Sequence, residues 1–251
     1  MLPSRTNVIN LVGNDVTKSA GEFATTRWSV VLLAGQEVSP QSAAALEKLC
    51  HAYWQPIYLF ARRRGWLEED AKDLTQQFFA LLLERNDFTG LDPKKGKFRT
   101  FLLAAFTHFL SNEYDRANAL KRGGGKVISL SELPSEDICP ETERSPAMIY
   151  DFGWAKTILQ TALHALKTEM VEAGKQAQFK ELKSFLTSNG GAGDYALVAT
   201  KLGVEASSVP VQVHRLRQRY RELVRTEVLQ TVSSPTELEE EMRHLFAVLN
   251  H

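Results

Sequence analysis

Residues 195–223 read YALVATKLGVEASSVPVQVHRLRQRYREL. Val198, Ala199 and Leu202 share one face of a first helix. Gly203 supplies a tight turn. Ser207 or Ser208 stands where a second helix is capped, and Pro210 falls in its first turn, where a missing N–H is tolerated. Val209, Val213, Leu216 and Tyr220 then form a buried stripe, with Gln212, Arg215, Arg217, Arg219 and Arg221 off it. A helix, a short glycine-containing turn and a basic helix is the pattern of a DNA-binding helix-turn-helix. It also fits any amphipathic helix pair with a basic outer face. In the DNA-binding case the start of the second helix meets base edges, and Arg or Lys meets phosphates.

Charge is segregated around this stretch. The 251 residues hold 30 Lys+Arg and 30 Asp+Glu, so the formal net charge is zero. Residues 201–225 nevertheless carry six bases against two acids, and the tail 227–251 carries five acids against Arg243. Upstream, 132–151 holds six acids against Arg144. Before that comes a second basic segment, GKFRTFLLAAFTHFLSNEYDRANALKRGGGK at 96–126. From Lys94 to Lys126 there are eight Lys/Arg against Glu113 and Asp115. Two basic modules, separated and followed by acidic stretches, are compatible with a nucleic-acid partner despite overall neutrality. Phe98, Phe101, Phe106, Phe109 and Tyr114 interleave with Arg99, His108, Arg116, Lys121 and Arg122. Such interleaving suits a surface that stacks unpaired bases and tracks phosphates. It equally suits a buried helix with basic ends, because Phe101–Leu110 is apolar nearly all round.

The remaining chain reads as helices. Residues 1–22 lack periodicity and are expected to be a flexible arm. Trp28, Val31 and Leu32 recur at helical spacing, as do Leu46, Leu49, Cys50, Tyr53 and Trp54, with Trp28 and Trp54 assigned to the core. Arg62-Arg63-Arg64-Gly65 matches a helix C-terminus, with cations on the macrodipole and a left-handed cap. Glu68, Glu69 and Asp70 open the next helix, whose stripe is Ala71, Leu74, Phe78, Leu81 and Leu82. Asp70, Asp73, Gln76, Gln77 and Glu84 lie off that stripe, as a solvated face or a docking surface for another protein. A further helical block runs from Trp154 to Thr187, with Ile158, Leu159, Leu163 and Leu166 in phase. No β-period of consequence appears, so the expected fold is all-α. Two helical domains, 23–126 and 153–231, are joined by an acidic linker, 127–152. The tail 232–251 is an amphipathic helix with Ser234, Pro235 and Glu237 as a capping box and Leu238, Met242, Leu245, Phe246 and Leu249 as its stripe. It either packs on its own domain or places its acids over a basic DNA-binding face.

Other function classes find no support. Cys50 and Cys139 make neither a disulfide framework nor a zinc site. There is no carboxylate cluster, His/Cys metal spacing, phosphate loop or nucleophile motif, so an enzyme, a metal and a cofactor are not expected. No charged-then-apolar signal opens the sequence, and no apolar run nears the roughly 18 residues a membrane span needs. The chain is read as cytoplasmic.

Taken in order, three motifs resemble bacterial RNA polymerase sigma factors of the extracytoplasmic-function group. Asp70-Ala71-Lys72-Asp73-Leu74-Thr75-Gln76 is similar to the D-A-x-D-L-x-Q run of that family's second conserved region. Phe98-Arg99-Thr100-Phe101-Leu102 resembles the aromatic-rich helix start that follows, and Val198 to Arg217 the fourth-region helix-turn-helix. The resemblance covers about 26–126 and 154–226. It implies a dissociable promoter-specificity subunit whose partners are core RNA polymerase, promoter DNA and an anti-sigma or other regulatory protein. It places polymerase contacts at Asp70, Asp73, Gln76 and Gln77. Minus-ten contacts fall at Phe98, Arg99, Phe101, His108, Asn112, Arg116, Lys121 and Arg122. Minus-thirty-five contacts fall at Ser207, Ser208, Gln212, Arg215, Arg217 and Arg219. Gln77 stands where a Glu is usual and Phe101 where a Trp is common, while Pro210 and Val211 replace positions often basic or polar. The competing expectation is a two-domain helix-turn-helix regulator that binds duplex DNA without polymerase.

Overall fold

The computed structural model describes residues 40–85, 97–122, 145–232 and 234–250, and all regular structure among them is helical. The helices are α1 (Pro40–Arg63), α2 (Glu68–Arg85), α3 (Phe98–Arg122), α4 (Pro146–Glu172), α5 (Gln176–Leu182), α6 (Ala192–Leu202), α7 (Val209–Leu229) and α8 (Pro235–Leu249). Short 3-10 turns occupy Lys183–Leu186 and Ala206–Ser208. The all-α expectation therefore holds. The arm at 1–22, Trp28 and most of the expected linker lie outside the described residues. Among the described residues no helix is long and apolar enough to cross a membrane.

Two compact units emerge. One contains the described residues of Phe23–Thr157 together with Leu229–Glu241, and the other is built on Ile158–Val228 and takes in Met242 onward. Helix α4 starts at Pro146, inside the segment expected to be linker, and belongs to the first unit as far as Thr157.

In the first unit, α1 buries Leu46, Leu49, Cys50, Tyr53, Ile57, Phe60 and Ala61 at three- and four-residue spacing. Trp54, expected in the core, is instead 38% exposed and stacks on Tyr58 at 5.5 Å. Its position one residue past Tyr53 turns it about 100° off the buried face. Gly153 of α4 lies against α1 where Pro56 interrupts the backbone bonding, and a Cβ there would sit 3.2 Å from the Pro56 Cα. The C-terminus of α1 closes as the sequence suggests. Gly65 takes φ 95°, Gly65 N–H donates to the Arg62 carbonyl and Trp66 N–H reaches back to Ala61.

Helix α2 buries Ala71, Leu74, Thr75, Phe78 and Phe79. Its stripe runs through Phe79 rather than Leu81, which is 37% exposed. Helix α3 buries Phe98, Leu102, Phe106 and Leu110, one residue per turn, so one face is core rather than the whole circumference. Phe106 joins the layers, with Phe78 at 4.9 Å, Phe60 at 6.1 Å and Phe109 at 6.1 Å. Aromatic pairs of this kind add about 0.5–1.5 kcal/mol each beyond their burial.

The second unit buries Ile158, Ala162 and Leu166 of α4 with Phe179, Leu182, Phe185, Val198 and Ala199. The expected block 154–187 is three elements, because the chain turns at Gly174 (φ 70°), where Lys175 N–H reaches back to the Met170 carbonyl. Leu163, expected in phase, is 36% exposed. Helix α7 buries Val209, Val213, Leu216 and Tyr220 as read, and continues through Leu223, Val224 and Val228. The Tyr220 hydroxyl donates to the Leu159 carbonyl, and burial pushes its phenol up to about 12.

Between α6 and α7, Gly203 adopts φ 65° and ψ 34°, and Val204 N–H reaches back to the Ala199 carbonyl. No atom lies within 4 Å of the Cβ position there, so substitution meets strain without a clash. Gly203→Ala is expected to lower stability by about 1 kcal/mol, and Gly203→Asn by less, as read from urea denaturation midpoints. Equal stability of all three proteins would show that the left-handed turn is not required.

Candidate nucleic-acid interface

Off the buried face of α3 runs a second stripe, Phe101, Ala105, His108, Asn112 and Arg116, again at helical spacing. Together with Phe109 and Glu113 it faces Phe78, Leu81 and Leu82 of α2 across a groove of about 440 Å³. The floor is apolar, with Phe78 and Phe109 5.6 Å apart on the aromatic core. The rim is polar. Arg116 is 69% exposed in its side chain and pairs with Glu113 at 2.5 Å, beside exposed Asn112 and His108. An aromatic slot edged by an amide, an imidazole and a guanidinium fits a flat heteroaromatic ring, with stacking on its faces and hydrogen bonds at its edge.

Phe101, His108, Asn112 and Arg116 are four of the eight minus-ten residues named from sequence, and the fold brings them to one groove. Lys121 and Arg122 end α3, and their side chains lie outside the described residues. Phe98 and Arg99 do not belong with them. Phe98 has 0% exposure and meets Tyr53 edge-on at 5.0 Å. Its N–H, unpaired within the first turn of a helix, donates to the Thr231 carbonyl at 3.4 Å.

Arg99 is 13% exposed in its side chain and turns inward. Nε and an Nη donate to the two carboxylate oxygens of Glu241, each at 3.1 Å, and the other Nη donates to Asp151. The guanidinium carbon lies 5.2 Å from the Trp154 ring, and the Arg99 carbonyl accepts from the Tyr150 hydroxyl at 3.0 Å. Burial opposes the guanidinium charge, but the bonds to Glu241 and the fields of Glu241 and Asp151 outweigh it and raise the pKa. Lys97 is also raised, because Glu240 at 3.0 Å and Glu241 at 3.2 Å outweigh its burial. In the tail helix, Glu240 and Glu241 of the first half lie on the cations that open α3. The sequence shows those acids but not their partners, which are 142 residues away.

The face assigned to polymerase contact is available. Asp70, Asp73, Gln76 and Gln77 are all exposed on α2, and Lys72 pairs with Glu68 and Glu69 instead.

In the second unit the named residues divide. Gln212 donates to the Ser208 hydroxyl at 3.1 Å and accepts from Gln178 at 2.7 Å. The Ser208 hydroxyl donates to the Glu205 carbonyl, closing the 3-10 turn. Arg217 fastens the loop before α6 through the Phe185 and Ser188 carbonyls and the Asn189 side chain. Arg219 makes a forked bond to Glu169 and a further bond to Glu222. Ser207 and Arg215 are exposed, as are Pro210, Val211, His214 and Gln218, which lie outside the contacts that the resemblance implies. Among the described residues no His/Cys/Asp/Glu group is arranged to hold a metal, and Cys50 is a buried free thiol.

Protein-family models, curated proteins and solved structures yield no match to this chain.

Removing Glu241 leaves the half-buried Arg99 and Lys97 with fewer carboxylates. Glu241→Ala is expected to cost about 3 kcal/mol in chemical denaturation, while the paired change Arg99→Met with Glu241→Leu restores most of it. A loss under about 1 kcal/mol for the single variant would make the cluster a surface ion pair in energetic terms.

Proposed function

We propose that this chain is a promoter-specificity subunit of bacterial RNA polymerase, similar to extracytoplasmic-function sigma factors, and not an enzyme. The observation that carries the reading is the convergence of Phe101, His108, Asn112 and Arg116 on one aromatic-floored groove. In this reading the first unit docks on polymerase through Asp70, Asp73, Gln76 and Gln77, and its groove takes an unpaired base of the minus-ten element. The second unit is a helix-turn-helix that reads the minus-thirty-five duplex. Flipping a base costs a few kcal/mol, and stacking on an aromatic side chain returns about 1–3 kcal/mol. Phe78 and Phe109, backed by the buried Phe106, supply the apolar floor for such a platform. Phe98 and Arg99 hold the start of α3 in place and are not among the base contacts. The alternative is a two-domain regulator that binds duplex DNA directly.

Asp73→Ala with Gln76→Ala is expected to abolish co-purification with core polymerase while leaving the circular dichroism spectrum unchanged. His108→Ala with Arg116→Ala is expected to leave co-purification intact and to reduce promoter opening, read as permanganate reactivity of unpaired thymines. Tight, specific duplex binding without polymerase, together with unimpaired co-purification of the docking variant, would replace this reading with the regulator.

A further inference from the structure

The proposed helix-turn-helix has a surface that internal contacts narrow to a few side chains. Gln212 uses its amide at both ends, on Ser208 and Gln178. The three bonds of Arg217 hold the 185–189 loop, and Arg219 lies between two carboxylates. A side chain so engaged must break those bonds before it can pair with a base. The exposed residues in the first two turns of α7 are Pro210, Val211, His214 and Arg215. Val211 is 51% exposed, on the side of α7 away from the buried stripe Val209, Val213, Leu216 and Tyr220. Val211, Arg215 and Gln218 follow one another at four- and three-residue steps, so they form one outward stripe.

We infer that Val211 and Arg215, rather than Gln212, Arg217 or Arg219, read the duplex, Val211 on a thymine methyl and Arg215 on a guanine. The inference rests on the DNA-binding reading of the second unit. In the major groove the thymine C5-methyl is the apolar feature of the base edges, and a valine has only apolar contact to offer it. The arginine fork fits the guanine O6 and N7 pair. Four residues of helix rise about 6 Å, which spans roughly one to two base steps, so the two bases are near neighbours in the site. His214 lies beside this stripe and fits a phosphate-facing role.

The test uses the full chain bound to bacterial core polymerase and a randomised duplex library covering the upstream promoter region. Sequencing of the retained duplexes is expected to show adjacent or near-adjacent thymine and guanine preferences. Arg215→Ala flattens the guanine column by about tenfold or more. Replacing the selected thymine with deoxyuridine weakens the wild type about fourfold and leaves Val211→Ala unaffected. Gln212→Ala and Arg217→Lys leave both columns unchanged. Both proposed readers are exposed, so their variants fold, and Arg215→Lys keeps the charge while losing the fork. Unchanged base columns in Val211→Ala and Arg215→Ala, with DNA retention intact, would overturn the assignment. Loss of polymerase capture with unchanged columns would also overturn it, making this stripe a protein interface. Failure of the wild type to retain any duplex, with or without polymerase, would instead remove the DNA-binding reading on which the assignment stands.

Discussion

The half-buried guanidinium of Arg99 ties three separate segments of the first unit together. An interior guanidinium is tolerated only when its donors are paired, and Glu241 and Asp151 do this from two distant parts of the chain. The segment 229–241 is therefore an integral part of that unit. Thr231 accepts the first N–H of α3, Val232 and Leu238 fill apolar space, and Glu241 completes the charge. Such clusters add little net stability over apolar packing of the same volume. They do penalise misplacement, because a shifted register of α8 leaves Arg99 or Glu241 buried and unpaired.

This constraint divides α3. Its first turn is fixed by Tyr53, Tyr150, Thr231 and Glu241, and its buried face continues through Leu102, Phe106 and Leu110. The stripe from Phe101 to Arg116 lies next to that face rather than opposite it. Its aromatic floor is consequently the edge of the core itself, while its polar rim faces solvent. The cations at the start of α3, Lys97 and Arg99, anchor the helix that carries this stripe by pairing with Glu240, Glu241 and Asp151.

Periodicity made much of this visible. The stripe Val209, Val213, Leu216 and Tyr220, the cap at Gly65 and the polar face of α2 all follow from residues within a few positions of one another. What escaped depends on distant partners. Phe98 and Phe101 are three residues apart and look alike in sequence, yet one is sealed against Tyr53 and the other borders a groove. Arg99 reads locally as a surface cation among aromatics because its carboxylates lie 52 and 142 residues away. Gln212 and Arg217 read as free donors because the helix and loop that engage them are about 30 residues upstream. Trp54, Leu81 and Leu163 show a further limit. A helical period gives the direction of the apolar face but not the width of the surface that covers it, so residues at its margin remain exposed. At Gly174 the signal was present, but a lone glycine within a helical pattern is often tolerated and does not by itself mark a break.

The same non-local pairing changes what the charge pattern means. The excess of cations from Lys94 to Lys126 counts Lys97 and Arg99, which are neutralised by Glu240, Glu241 and Asp151. The excess across 201–225 counts Lys201, Arg217 and Arg219, which bond Glu181, loop carbonyls and Glu169. Cations already paired inside the protein release few counterions when DNA binds, so they add little to phosphate affinity. Segregated charge is therefore partly a record of internal pairing between modules of sequence. Once those pairs are discounted, the proposed recognition surfaces are defined less by total positive charge than by small, chemically mixed sets. Phe101 with His108, Asn112 and an Arg116 that pairs with its helix neighbour Glu113 forms one proposed set, and Val211 with Arg215 forms the other, each combining an apolar side chain with polar ones.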